Sequence, residues 1–252
     1  MDRFTSAAVR FLEAHRSVTN VRFSKLPPPD QHEMASWMTE HSPLQLPPDL
    51  TKFYRTCNGC SLAWDAALPG GAVPMGHMHI NALRDVKVVP LSVPESPVER
   101  ASQHGHPPAT VYVYGLPEDV AGALGVRAED AQGEGAARTA TTTRVRTALC
   151  IDDTSPCGPL ALLYLRGADR APSVWLRDRT GAWAYVAETF TDFFRLSVMH
   201  LGLPGWPLAL TPWGLDADTR TWLGFLSPER LAINLDGRDH AEDVLQQQEQ
   251  EQ

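Results

Sequence analysis

The sequence predicts an α+β fold: one domain with a mostly antiparallel sheet and helices packed on it. Three observations carry that expectation. Apolar residues recur at three- and four-residue steps near both ends of the chain, before residue 58 and after residue 189. Between residues 145 and 186 the pattern changes to short β-rich runs split by turn residues. The 252 residues, 43% of them hydrophobic and 21% charged, suit one large domain with an ordinary core.

From the start of the chain, Phe4, Ala8, Phe11, Leu12 and His15 share one face of a helix over about residues 2–16. Pro27-Pro28-Pro29-Asp30 breaks the chain and opens a second helix, with Met34, Trp37 and Met38 as its expected buried stripe and Pro43 as its end. Pro47-Pro48-Asp49 opens a third, since proline suits the first helical position and an acid suits the positive pole of the helix dipole. Leu50, Phe53, Tyr54 and Cys57 line this helix, and Asn58-Gly59 is expected to cap it. A strand follows over 60–65, a turn at Pro69-Gly70-Gly71, and a second strand near 72–75. Residues 80–89 read as mixed and partly helical.

Residues 92–143 differ in character. They are rich first in Pro, Ser and His, then in Ala, Gly, Thr and Glu, and are expected to form a disordered insertion in a domain spanning 1–235. Val111-Tyr112-Val113-Tyr114 suggests a short strand within it. Runs at 145–151, 160–165, 173–177 and 182–186 then describe an antiparallel meander. A helix over 189–201 carries Phe190, Phe193, Phe194, Val198 and Leu201 on one face. Trp206-Pro207 and Pro212-Trp213-Gly214 are rigid aromatic turns, and a last helix over 216–226 is expected to face Trp222 and Phe225 inward. Residues 236–252 form an acidic, Gln-rich tail.

The net charge of −8 argues against a nucleic-acid partner, because phosphate neutralisation requires excess Lys and Arg. Six acids against Arg238 give the tail −5, leaving −3 for the remainder. No apolar run is long enough to span a bilayer, and charges at Asp2, Arg3, Arg10, Glu13 and Arg16 interrupt any signal-peptide core. A soluble cytoplasmic protein without a membrane partner is therefore expected.

Each residue pattern that could carry chemistry has a simpler structural explanation. Cys57-x-x-Cys60, with Cys150 and Cys157, has the wrong second spacing for structural zinc, and its place at a helix end is the wrong dipole pole for a reactive thiol. His77-x-His79 lacks a nearby carboxylate in sequence to complete a metal site, and His104 and His106 fall in the insertion. No Gly-rich phosphate loop or nucleophile elbow is present, and the three lysines, Lys25, Lys52 and Lys87, sit in no nucleotide-binding setting. No catalytic residue, metal or cofactor is assigned. Trp206 and Trp213, beside Pro and Gly, suit either interface anchors or caps on the core.

Leu46-Pro47-Pro48-Asp49-Leu50, followed by Phe53-Tyr54, Asn58-Gly59 and Trp64, resembles the signature of the SUKH superfamily of cell-wall-assembly regulators. In that pattern a short helix ends at a Gly turn and enters the first strand. A second string begins at Val174-Trp175-Leu176-Arg177-Asp178-Arg179, continues through Trp183, and includes Thr189 to Leu196 and His200-Leu201-Gly202-Leu203-Pro204-Gly205-Trp206. With Trp213-Gly214-Leu215 and Trp222, it resembles the subunit-2 family of the tubulin polyglutamylase complex, and Val73-Pro74-Met75-Gly76 with Ile80-Asn81 is similar too. The likeness covers about residues 25–90 and 145–235.

The resemblance implies a non-catalytic adaptor. A separate tubulin-tyrosine-ligase-like subunit would add glutamate to tubulin tails, and this chain would help assemble or localise the complex at microtubules, centrosomes or the base of the cilium. Its partners would be the other complex subunits, including the tubulin-tyrosine-ligase-like enzyme, with tubulin or microtubules as a further candidate partner. Leu203, Trp206, Trp213 and Trp222 are the candidate partner-binding residues. The short acidic end departs from the Lys-rich extension of some members. The alternative is a stand-alone protein-binding module of the SUKH type.

Overall fold

The local signals are assembled into tertiary structure in the computed structural model, which describes residues 2–89, 91, 113–114, 145–165, 170–211 and 214–228. The helices are α1 (Asp2–Ala14), α2 (Gln31–Glu40), α3 (Pro48–Tyr54), α4 (Phe190–Met199) and α5 (Ala217–Leu226). The strands are β1 (Val18–Lys25), β2 (Cys60–Leu68), β3 (Gly71–Ile80), β4 (Lys87–Val89), β5 (Val113–Tyr114), β6 (Val145–Asp152), β7 (Leu160–Leu165), β8 (Ser173–Arg177) and β9 (Trp183–Ala187). The fold is α+β, as expected.

The strands form two sheets where the sequence suggested one. β1-β2-β3 make an antiparallel sheet of three strands, and the second has the order β4-β6-β7-β8-β9-β5. Among the described residues, the β5–β9 pair alone is parallel. In the larger sheet, Leu160, Leu162, Val174 and Leu176 face the main core, while Ala161, Leu163, Trp175 and Trp183 face a second cluster with Val113. Burial on both faces explains why Leu160-Ala161-Leu162-Leu163 reads as an unbroken apolar run.

β1 was absent from the sequence reading. Asn20 has φ 52° and the register with β2 slips between Thr19 and Arg22. A bulge interrupts the two-residue alternation that marks a strand. Residues 80–89 resolve into a 3-10 turn at Leu83–Asp85 and the edge strand β4.

Caps follow the sequence closely. Asp30 accepts from the Glu33 amide at α2, Thr189 from the Asp192 amide at α4, and Asp216 from the Thr219 amide at α5. Asp49 does more than favour a dipole: it accepts from its neighbour Leu50 and, at 2.8 Å, from the Thr191 amide, tying α3 to the first turn of α4. Helix α3 stops at Tyr54, earlier than expected, with Arg55 as its C-cap. Asn58-Gly59 instead builds the turn into β2. Gly59 holds φ +88°, and an added Cβ would lie 2.6 Å from the Ile80 carbonyl oxygen. Asn58 accepts from the Leu83 amide and so pins the end of β3 to this turn.

Two expected stripes are only partly buried. On α2 Trp37 is buried but Met38 is exposed. On α1 Leu12 is buried while Phe11 is exposed. The insertion apart from Val113 and Tyr114, and the tail, lie outside the described residues.

Candidate partner-docking surface

The residues that set the surface begin deep in the core. Trp64 on β2 is fully buried, and its indole N–H donates to the Leu201 carbonyl at 2.7 Å. That bond joins the small sheet to the end of α4. The indole lies across Gly76 on β3, where any side chain would overlap it. Beyond it, Trp222 on α5 packs edge-on at 6.3 Å between ring centroids. Trp222 then meets Phe225 at 5.9 Å, Phe225 meets His15 at 5.4 Å, and His15 meets Phe11 at 6.1 Å. The result is an aromatic ladder from the core to the surface. His15 Nδ1 accepts from the Ser17 amide at 3.3 Å.

The outer rungs stand in solvent. Phe11 is 44% exposed and Phe225 is 50% exposed. The expectation that Phe225 faces inward is corrected: on α5, Leu223 and Leu226 fill the buried side, so Phe225 is left on the open one. Beside Phe11 opens a cleft of about 200 Å³ lined by Ala7, Ala8, Phe11, Val198, Leu201 and Met199, with Ser227 at its edge. Its walls are α1, the end of α4 and the end of α5. Exposed aromatic side chains with rigid backing are the kind of surface that anchors a partner.

The expected partner-binding residues divide. Trp222 is half-buried within the ladder. Trp206 is 4% exposed and stacked between His200, at 4.8 Å, and Phe193, at 6.3 Å. Leu203 is buried beside it. Both line the gap beside His77 and Asp152, away from the cleft beside Phe11, and of the two alternatives for the turn tryptophans, Trp206 takes the core one. Trp213 lies outside the described residues. The sequence reading missed Phe11 and Phe225 as surface residues, because periodicity groups them with the buried face. The motif block lies elsewhere: Leu46, Pro47, Phe53 and Tyr54 are buried, and Phe53 packs on α4, edge-on to Phe190 at 5.1 Å.

The described thiols and histidines lie apart from this cleft. Cys57, Cys60, Cys150 and Cys157 form no disulfide, and burial pushes the Cys60 and Cys150 thiols up to about 12. Among the described residues no group of three His, Cys, Asp or Glu side chains is placed to hold a metal ion. Asp152, distant from His77 in sequence, lies near it in space. Its Oδ1 accepts from the Thr154 hydroxyl at 2.7 Å, and Thr154 in turn lies 3.0 Å from His77 Nε2. Thr154 has one hydroxyl proton, so His77 Nε2 must donate. This chain clasps β3 to the end of β6 over a water-sized gap of about 20 Å³. His104 and His106 lie outside the described residues.

No helix among the described residues is long and apolar enough to cross a membrane. No family model matches the chain, and no solved structure matches it. Curated relatives do. The rat protein named tubulin polyglutamylase complex subunit 2 is 26% identical over 240 residues, covering 90% of this chain and 72% of the rat protein. The human protein of the same name is 26% identical over 239 residues, covering 93% and 73%, and the mouse protein is 25% identical over 240 residues. Along nearly its whole length, therefore, this chain resembles tubulin polyglutamylase complex subunit 2, in agreement with the motif string from Val174 to Trp222.

Proposed function

We propose that this chain is a non-catalytic adaptor in a tubulin polyglutamylase complex, and that it docks onto other subunits, a tubulin-tyrosine-ligase-like enzyme among them, through the aromatic groove of α1, α4 and α5. The observation that supports this reading is the pair Phe11 and Phe225, held in solvent by a ladder that ends on buried Trp64. Interface energy concentrates in such anchors, since burying them costs little side-chain entropy when the backing is rigid. Similarity to proteins named as complex subunits supplies the partner class. The Leu46 to Trp64 block supports a SUKH-type domain as the scaffold. Action would be at microtubules, in the cytoplasm.

The test is co-purification from cells with the full-length chain and its Phe11→Glu/Phe225→Glu variant. Capture of the ligase-like subunit is expected to fall roughly tenfold or more, the size of a lost hot spot. Stability should fall by only about 1–3 kcal/mol for the pair, because each ring is already half in water, and the chain should stay folded. Unchanged capture would refute the docking surface. A wild-type chain recovered as a monomer with no ligase-like partner would favour the stand-alone module. Glutamate addition to tubulin by the isolated chain would overturn the non-catalytic assignment.

A further inference from the structure

We infer that one end of the larger sheet holds a carboxylate-binding site, where the Arg177 guanidinium and the Trp183 indole N–H together receive a Glu or Asp side chain of an acidic partner peptide. Two independent observations meet there. Trp183 on β9 is fully buried, and its Nε1 has no hydrogen-bond partner. Directly opposite in the strand pair, Arg177 on β8 lies over the indole, its Cζ 5.8 Å from the ring centroid. Among the described residues no oxygen accepts a hydrogen bond from this guanidinium, and no carboxylate forms an ion pair with it. Buried donors are nearly always satisfied, so an orphan marks a place for an acceptor from outside the chain. Here two neighbouring donors lack one. Arg177 is half-buried and is the member of the pair that reaches solvent, so the carboxylate enters along it.

The neighbouring acid does not fill these donors. Asp178 is buried, and its Oδ1 accepts from the Thr180 amide, the Thr180 hydroxyl and the Ala182 amide, closing the turn after β8. Burial lowers the Arg177 guanidinium from its ordinary value, and the charge of Asp178 only partly offsets this. A guanidinium offers a planar fork of N–H groups, which matches a carboxylate through two parallel bonds. One negative charge suits the place better than two, because Asp178 would repel a phosphate dianion more strongly. A peptide fits better than a free acid. Arg179 follows two residues on, exposed, with Nη2 donating to the Pro156 carbonyl at 3.2 Å and no carboxylate partner among the described residues. A second acid on the same peptide can reach it.

The experiment uses the full chain at physiological salt and three synthetic peptides: one rich in Glu, the same peptide with Gln for every Glu, and the Gln peptide carrying one phosphoserine. Affinity is read by calorimetry, and the site by the indole N–H resonance of Trp183, assigned through its loss in Trp183→Phe. The Glu peptide is expected to bind, to shift that resonance and to slow its exchange with water; the Gln peptide should do neither. Arg177→Gln should weaken binding at least tenfold, the size of a lost hydrogen bond to a charged group. This variant alters a half-exposed side chain, so it keeps the test open if Trp183→Phe fails to fold. Arg195→Gln, on α4, is the control for attraction by charge alone and should stay within about twofold of wild type. Binding that leaves the Trp183 resonance unmoved, equal affinity for the Gln peptide, no effect of Arg177→Gln, or an equal loss in Arg195→Gln would overturn the inference. So would no binding at all, or tighter binding of the phosphoserine peptide with the same resonance shift, which would assign the site to phosphate. The site shares no residue with the cleft beside Phe11, so its failure leaves the docking role proposed above untouched.

Discussion

Gly76→Ala tests the packing on which the docking surface stands. Gly76 pairs with Trp64 across β2 and β3, and an added Cβ would overlap the indole ring itself. The ring has no free direction: it is fully buried, its N–H is bonded to Leu201, and Trp222 lies against it. Overpacking of this kind costs about 1–3 kcal/mol. If the indole shifts, its donor is left buried and unpaired at a further cost of about 1–3 kcal/mol. The stiffer unfolded chain of an alanine variant offsets about 0.4–1 kcal/mol of this. The expected net loss is about 1–5 kcal/mol, a fall in Tm of roughly 2–20 °C for a domain of this size. Urea unfolding followed by tryptophan fluorescence measures it. Gly70→Ala is the control, since nothing lies within 4 Å of a Cβ there, and it should stay within about 0.5 kcal/mol of wild type. If Gly76→Ala is as stable as the control, the close approach of Trp64 to the β3 backbone is wrong, and with it the rigid backing of the aromatic ladder.

Three further outcomes are expected. Trp206→Ala should cost about 3–5 kcal/mol in denaturant unfolding, as a buried aromatic deletion; a loss below about 1 kcal/mol would place the ring at the surface. Burial raises the Asp152 carboxyl above the usual range, against the hydrogen bonds from Thr154 and the nearby His79 and His77. The native state then keeps its proton to higher pH than the unfolded chain does, so this group's contribution to stability falls as pH climbs from about 3.9 through the raised value, and stays low above it. Asp152→Asn keeps the acceptor for Thr154 without the ionisation. Its stability relative to wild type should therefore rise across that window and level off, and a flat difference between pH 4 and 7 would refute the effect. Finally, Cys60 and Cys150 should resist a thiol reagent at pH 8 in the native state and react fully on unfolding, because burial holds both thiols near 12; rapid native labelling, counted by mass spectrometry, would contradict that burial.

The sequence by itself determined the local pieces. Pro47-Pro48-Asp49 placed the start of α3, Thr189 and Asp192 placed α4, and the turn residues between 152 and 181 spaced the strands β6 to β9. These signals act over a few residues, where proline geometry, capping and periodicity are decisive. Tertiary structure decided which faces are covered. Phe11 and Leu12 belong to one helical stripe, yet one is in solvent and the other buried. Trp206 and Phe225 look alike as aromatics near the end of the chain, yet only Phe225 reaches the surface. The split into two sheets, the bulged β1, and the bond from Trp64 to Leu201 across 137 positions likewise depend on distant partners. Periodicity states which side chains share a face; whether that face meets core or water depends on elements that only the folded chain brings together.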